Sequence, residues 1–215
     1  MSTPAEDMAR AWKRLCPHED TVTEAVLADL LARWSEPHRR YHNLTHLAEV
    51  LDVVRHLPKG DTKAVRLAAF FHDAVYQPEV AGSANEAASA VLVERLAPSC
   101  GFARATVTEA ARLVLLTAGH APEPDDVSGS ALCDADLAIL AAPPTRYLDY
   151  AAGVRAEYAH IDAATFAKGR SAVLRELAGR DPLFSTEYGR RDFEHRARTN
   201  IAAELSMLAN DRENR

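Results

Sequence analysis

The segment YHNLTHLAEV, residues 41–50, carries two histidines four positions apart at the start of an amphipathic pattern. Twenty-six positions after His46, the run AAFFHDAVY sets His72 and Asp73 among apolar side chains. An ionised carboxylate in such surroundings is costly unless it is paired or coordinates a metal. His46 faces the same cost, flanked by Leu44, Leu47 and Val50. Two neutral imidazoles and a carboxylate on core-directed helices form an N/O ligand set. Such a set suits a divalent ion such as Mn, Fe, Mg, Zn, Co or Ni rather than a purely soft metal. His42 lies one turn before His46 and shares its face if the helix starts early enough.

A further ligand is expected from LCDADLAIL, which offers Asp134 and Asp136. On a helix the two point about 200° apart, so one of them faces any given site. Asp136 lies on the stripe of Leu132, Ile139 and Leu140, whereas Asp134 aligns with Ala138 and Ala141. The register therefore makes Asp136 the ligand and leaves Asp134 one layer behind it or at the surface.

The elements that position these groups read as helices throughout. Val22, Ala25, Val26, Leu30 and Trp34 recur at helical spacing behind a Thr21–Glu24 capping box, and Pro37 in SEPHRR breaks that helix. Leu44, Leu47, Val50, Leu51, Val54 and Leu57 form a second pattern, which stops at Pro58, Lys59 and Gly60. Asp61 is expected to cap the helix that carries His72 and Asp73 and ends near Pro78. Ser83 with Glu86, and Thr106 with Glu109, look like two more capping boxes. HAPEPDDVSGS reads as a loop before ALCDADLAIL, and Pro143–Pro144 closes that helix. A long helical tract starts at Thr145 and breaks near 160–162, where Asp162 caps the next helix. The last helix is expected to start near Ser185. With no alternating strand pattern or repeat, the chain reads as one all-α domain of about eight to ten helices, with the metal-site core over about 39–140 and helices 145–210 packing on it.

Composition narrows the function classes. The chain has 215 residues, 47% hydrophobic and 26% charged, with a formal net charge of −6. That balance is globular, and it argues against a nucleic-acid backbone as partner, which wants a basic footprint. A small phosphorylated ligand remains compatible, because a bound metal supplies positive charge. Cys16, Cys100 and Cys133 are scattered without a CxxC pair, so free, buried thiols in a reducing compartment are expected. MSTPAEDMARAW lacks the charge and apolar run of a signal peptide, and no apolar run approaches the roughly 20 residues of a membrane span. The expectation is a cytoplasmic protein, with a homodimer as one option.

His46, then His72–Asp73, then Asp136 resembles the H…HD…D signature of the HD superfamily of metal-dependent phosphohydrolases, an all-α family. YHNLTHLAEV is also similar to the YHNxxHxxDV segment of the cyclic nucleotide phosphodiesterases. In that segment the first histidine is the general acid and the second a metal ligand, which implies these roles for His42 and His46. CDADL resembles the segment whose Asp before Leu is a ligand, again Asp136. By size and by RYHN, FFHDAVY and NEAASA together, the chain looks most like the small bacterial HD-type phosphohydrolases.

Two departures stand out. The family's hydrolases of stringent-response nucleotides resemble HDxxED where this chain reads HDAVYQ. A strict two-metal HD site has two more histidines before the final Asp, where this chain has only His120, with Glu86 as a substitute. A mononuclear site, or a second metal held mostly by water and substrate phosphate, is the economical reading.

The resemblance implies a phosphohydrolase acting on a nucleotide or another small phosphorylated metabolite. Its ligands would be His46, His72, Asp73 and Asp136, with His42 as the acid. Tyr76, Asn85, Glu86, His120, Arg39 and Asp134 are candidates for supporting the metal or binding substrate, and Arg40 is a further candidate for phosphate. Arg155, Glu157 and Tyr158 read as a buried or interfacial polar network, and His18, His38, His56, His160 and His195 as surface. A non-catalytic metal or nucleotide sensor is the alternative, ahead of a di-iron HD-type oxygenase.

Overall fold

The computed structural model of the chain describes residues 3–57, 62–80 and 82–213. Among them are eleven α-helices and no strand: α1 Pro4–Leu15, α2 Thr21–Trp34, α3 Leu44–Arg55, α4 Lys63–Phe71, α5 Ala84–Leu96, α6 Arg104–Leu116, α7 Val127–Leu137, α8 Pro144–Glu157, α9 Ala163–Ala178, α10 Glu187–Asp192 and α11 Glu194–Glu213. Short 3-10 turns follow α5 at Ala97–Cys100 and α7 at Ala138–Ala141. No helix among the described residues is long and apolar enough to cross a membrane.

The all-helical expectation holds, and the count exceeds it for two local reasons. Thr3 and Glu6 form a reciprocal capping box with Pro4 in the first turn, which starts an additional helix, α1. At the other end the chain turns at Phe193, so the expected single C-terminal helix is two, α10 and α11.

Several expected boundaries move. Asp20, not a Thr21–Glu24 box, caps α2 through the Thr23 N–H. Asp61 lies outside the described residues, and Thr62 caps α4 through the Val65 N–H. Ser83 makes no side-chain cap bond, and α6 starts at Arg104, which leaves Thr106 and Glu109 inside it. The loop before α7 is shorter than composition suggested, because Asp126 caps a helix that begins at Val127. Asp162 caps α9 as expected, through the Ala164 and Thr165 N–H groups.

Two boundaries bear on the site. α3 starts at Leu44 with Asn43 as its cap, so His42 precedes the helix instead of riding on it. α4 ends at Phe71, far short of Pro78, so His72 caps the helix and Asp73 lies in the turn beyond.

Two apolar clusters build the interior. The first joins α1–α7 around Trp12, Leu30, Trp34, Phe70, Phe71 and Leu113. Fully burying each such side chain contributes about 1.5–3 kcal/mol. The second joins α8–α11 to the 3-10 turn after α7, around Tyr147, Leu174, Phe184 and Ile201. Asn200 of α11 donates to the Leu140 and Ala142 carbonyls, which ties the last helix to that turn. Tyr41 belongs to the second cluster although it stands one residue before His42. The candidate ligands thus lie along the seam of the two clusters.

Candidate functional site

Each metal-capable group is aimed by a specific neighbour. His72 Nδ1 donates to the Ala69 carbonyl at 2.9 Å, which turns Nε2 inward as the free nitrogen. His46 Nδ1 is held by the Tyr41 hydroxyl at 3.0 Å. The two Nε2 atoms then face one another at 3.1 Å. Asp136 Oδ1 stands 3.0 Å from His46 Nε2 and 3.6 Å from His72 Nε2. One donor atom from each of His46, His72 and Asp136 lies within 4.8 Å of the others. Asp73 Oδ2 flanks this trio, 3.3 Å from His72 Nε2 and 3.9 Å from His46 Nε2.

These donors fit a divalent ion. Converging imidazole nitrogens and carboxylate oxygens repel one another unless positive charge sits among them. Two ligands at right angles, each about 2.1 Å from one ion, are about 3.0 Å apart, which matches the spacing found here. The electrostatics agree. Burial works against charge on His72, yet Asp73 and Asp136 raise its pKa to about 9. Burial likewise opposes ionisation of Asp136, but His72, His120 and His46 hold its pKa well below the usual carboxylate range. Trp34 walls the site from the core side, with its ring 5.3 Å from that of His72. Its indole N–H donates to the Phe70 carbonyl at 2.9 Å and so satisfies an acceptor at the open end of α4.

His42 stands beside this cluster, with ring centroids of His42 and His46 5.8 Å apart. Its Nδ1 meets Glu157 Oε2 at 2.7 Å, so Nε2 is the nitrogen left for the cavity. The same carboxylate accepts the backbone N–H groups of Arg40, Tyr41 and His42, and the Tyr76 hydroxyl at 3.0 Å. Tyr76 also stacks on the His42 ring at 4.2 Å. Burial alone would lower the His42 pKa, but the Glu157 hydrogen bond and the charges of Asp73 and Glu157 raise it overall. Burial would raise the Glu157 carboxyl, yet the bond and charge of His42, with the Tyr41 and His42 N–H groups, bring it to about 2. Sequence reasoning grouped Glu157 with Arg155 and Tyr158 and missed this partnership. The arginine is occupied elsewhere, donating to the Tyr158 and Ile161 carbonyls.

Other candidates divide by what they touch. Arg39 does not present itself to a phosphate. Its buried guanidinium donates to the carbonyls of His42, Asp73 and Ala74 and to Glu36, between the rings of Trp34 and Tyr76. Its work is to staple the His42 segment to the Asp73 turn. Asp134 neither supports the metal nor lies at the surface. It is buried and accepts from the Ser185 and Thr186 N–H groups and the Thr186 hydroxyl at 2.6–2.8 Å. A side chain at Gly189 would collide with this carboxylate, which is why α10 approaches so closely there. Asn85 spends both ends of its amide on the Gln77 backbone. His38 keeps its side chain 35% exposed and is bonded to the Tyr76 carbonyl at 2.9 Å.

His120 and Glu86 do reach the site. His120 Nε2 meets Asp136 Oδ2 at 2.7 Å, from a backbone with φ of 47°. A non-glycine residue there is strained, and Arg180 holds the turn by donating to the Gly119 and His120 carbonyls. Glu86, freed from capping, keeps a buried Oε2 with no hydrogen-bond partner among the described residues. Burial, and then the charge of Asp73, raise its pKa above the ordinary value.

His42, Asp73, Glu86, His120 and Asp136 all line one cavity of about 620 Å³, between the Asp73 turn and helices α8 and α9. No protein-family model, no curated protein and no solved structure matches the chain.

Proposed function

We propose that the chain is a metal-dependent phosphohydrolase of the HD type, acting on a nucleotide or another small phosphorylated metabolite. The observation that carries this reading is the His42–Glu157 pair set beside the buried His46, His72 and Asp136 donors, with His42, Asp73 and Asp136 opening on a single cavity. His46, His72 and Asp136 would hold the ion with Asp73 at its side, and Glu86 and His120 are the residues available to a second one. A bound divalent ion supplies Lewis acidity toward a phosphoryl oxygen and lowers the pKa of its water. The chain's own groups account for the rest. Glu157 keeps His42 oriented and favours its imidazolium, so Nε2–H is poised to protonate the departing oxygen. Tyr76, stacked on one face, restrains the His42 ring. Trp34 and the buried Arg39 form a fixed floor of low polarisability beneath the site, which strengthens the charges above it. Three free thiols, two of them buried, suit a reducing compartment such as the cytoplasm.

Metal analysis with phosphate release tests the reading. Purified protein should hold about one divalent ion per chain and release phosphate from nitrophenyl phosphate only when loaded, and His72→Ala should abolish both. Folded protein that stays metal-free in excess Mn, Fe and Zn would overturn it.

A further inference from the structure

The cavity has two chemically distinct ends. One carries His42, His120 and the carboxylates of Asp73, Glu86 and Asp136. The remainder is walled largely by apolar and aromatic side chains, among them Ile139, Val154, Tyr158, Phe166, Val173 and Leu177. Val80 and Val173, 44% and 51% exposed, keep large apolar surface open to it.

Free positive charge is absent from that wall among the described residues. Arg170 and Arg180 are the arginines among the described lining residues, and no lysine joins them. Arg170 donates to both Glu204 oxygens and to the Tyr150 hydroxyl. Arg180 is occupied by the Gly119 and His120 carbonyls and by Glu176. Several neutral polar groups are engaged as well. Tyr41 is bonded to His46, Tyr76 to Glu157, Asn85 to Gln77, and Thr117 to the Val114 carbonyl.

Beyond the one phosphoryl group that the ion and His42 can meet, a polyphosphate would extend its charge along a wall whose two arginines are already engaged. A sugar would bury several hydroxyls against a mostly apolar wall that offers few partners for them. An aromatic or aliphatic body meets neither cost and gains apolar burial. Resting on the phosphohydrolase reading, we infer that the substrate is a monophosphate ester of an uncharged, apolar body. Its phosphoryl group sits at the histidine–carboxylate end, and nucleoside polyphosphates and sugar phosphates are poor substrates.

Benzyl phosphate and glycerol phosphate have primary alkoxide leaving groups alike, so comparing them isolates the body. With the full-length, metal-loaded protein, kcat/KM for the benzyl ester should exceed that for glycerol phosphate or ATP by about 10- to 100-fold. Calorimetry with benzylphosphonate and methylphosphonate, which are not turned over, should show a similar preference in Kd. Val173→Asp, at an exposed position on the wall, should weaken benzylphosphonate binding about 10-fold with metal content retained. Equal phosphonate affinities, or ATP or glycerol phosphate outrunning the benzyl ester, would overturn the inference while leaving a hydrolase. Preferential benzylphosphonate binding with no turnover of any ester would support the apolar subsite and remove the hydrolase.

Discussion

Replacing Glu157 by glutamine tests the arrangement around His42 most directly, because the change keeps size and shape and removes one charge. The carboxylate is fully buried and serves five donors. Glutamine's carbonyl oxygen can still accept the three backbone N–H groups of residues 40–42. Its NH₂ would face His42 Nδ1 and the Tyr76 hydroxyl, so His42 must become neutral with its proton on Nε2. In the folded chain Glu157 titrates at about 2, against an ordinary 4.5. Each unit is about 1.4 kcal/mol, so ionised Glu157 contributes about 3 kcal/mol at neutral pH. Because the folded pKa is depressed, that stability is fully present above about pH 4.5 and is lost as pH falls toward 2. Urea unfolding of chelator-treated protein, from about pH 7 to about pH 3, measures it. Glu157→Gln should lower neutral-pH stability by about 3 kcal/mol and converge with wild type in acid. Parallel pH profiles, or a loss well under about 1 kcal/mol, would show that His42 does not hold this carboxylate ionised.

The two aspartates of α7 should separate cleanly. Asp136→Asn is expected to remove most metal affinity, whereas Asp134→Asn should keep the metal and cost about 1–3 kcal/mol of stability, its amide facing the Thr186 donors; equilibrium dialysis and thermal unfolding score the pair, and the reverse order would refute the assignment. His42→Ala should leave metal content near wild type and lower kcat about 100- to 10,000-fold for an alkyl phosphate, with a much smaller loss for nitrophenyl phosphate, whose leaving group needs little protonation. Equal losses on both esters, or loss of metal, would make His42 a ligand or a structural residue.

Helical spacing is a local property, set by the backbone period and by which side chains alternate with it. That is why the all-helical architecture, the inward face of His46 and the opposed directions of Asp134 and Asp136 are legible in the sequence. Helix ends were less legible. A Ser-x-x-Glu or Thr-x-x-Glu pattern also occurs inside a helix or beside a better cap, as at Thr106 and at Thr21 behind Asp20. Partners were least legible of all. Glu157 lies 115 positions from His42, and Ser185 lies 51 from Asp134. No local pattern encodes such pairs, because they exist only once two apolar clusters close on each other and leave buried charges one way to be satisfied. The same closure buries Arg39, which the sequence offered as a candidate for supporting the metal or binding substrate, and leaves Glu86 facing the cavity instead of capping its helix. Sequence by itself determined which groups could bind a metal and that helices would carry them. Tertiary structure decided which of them meet, which nitrogen of each histidine is free, and what kind of wall the site faces.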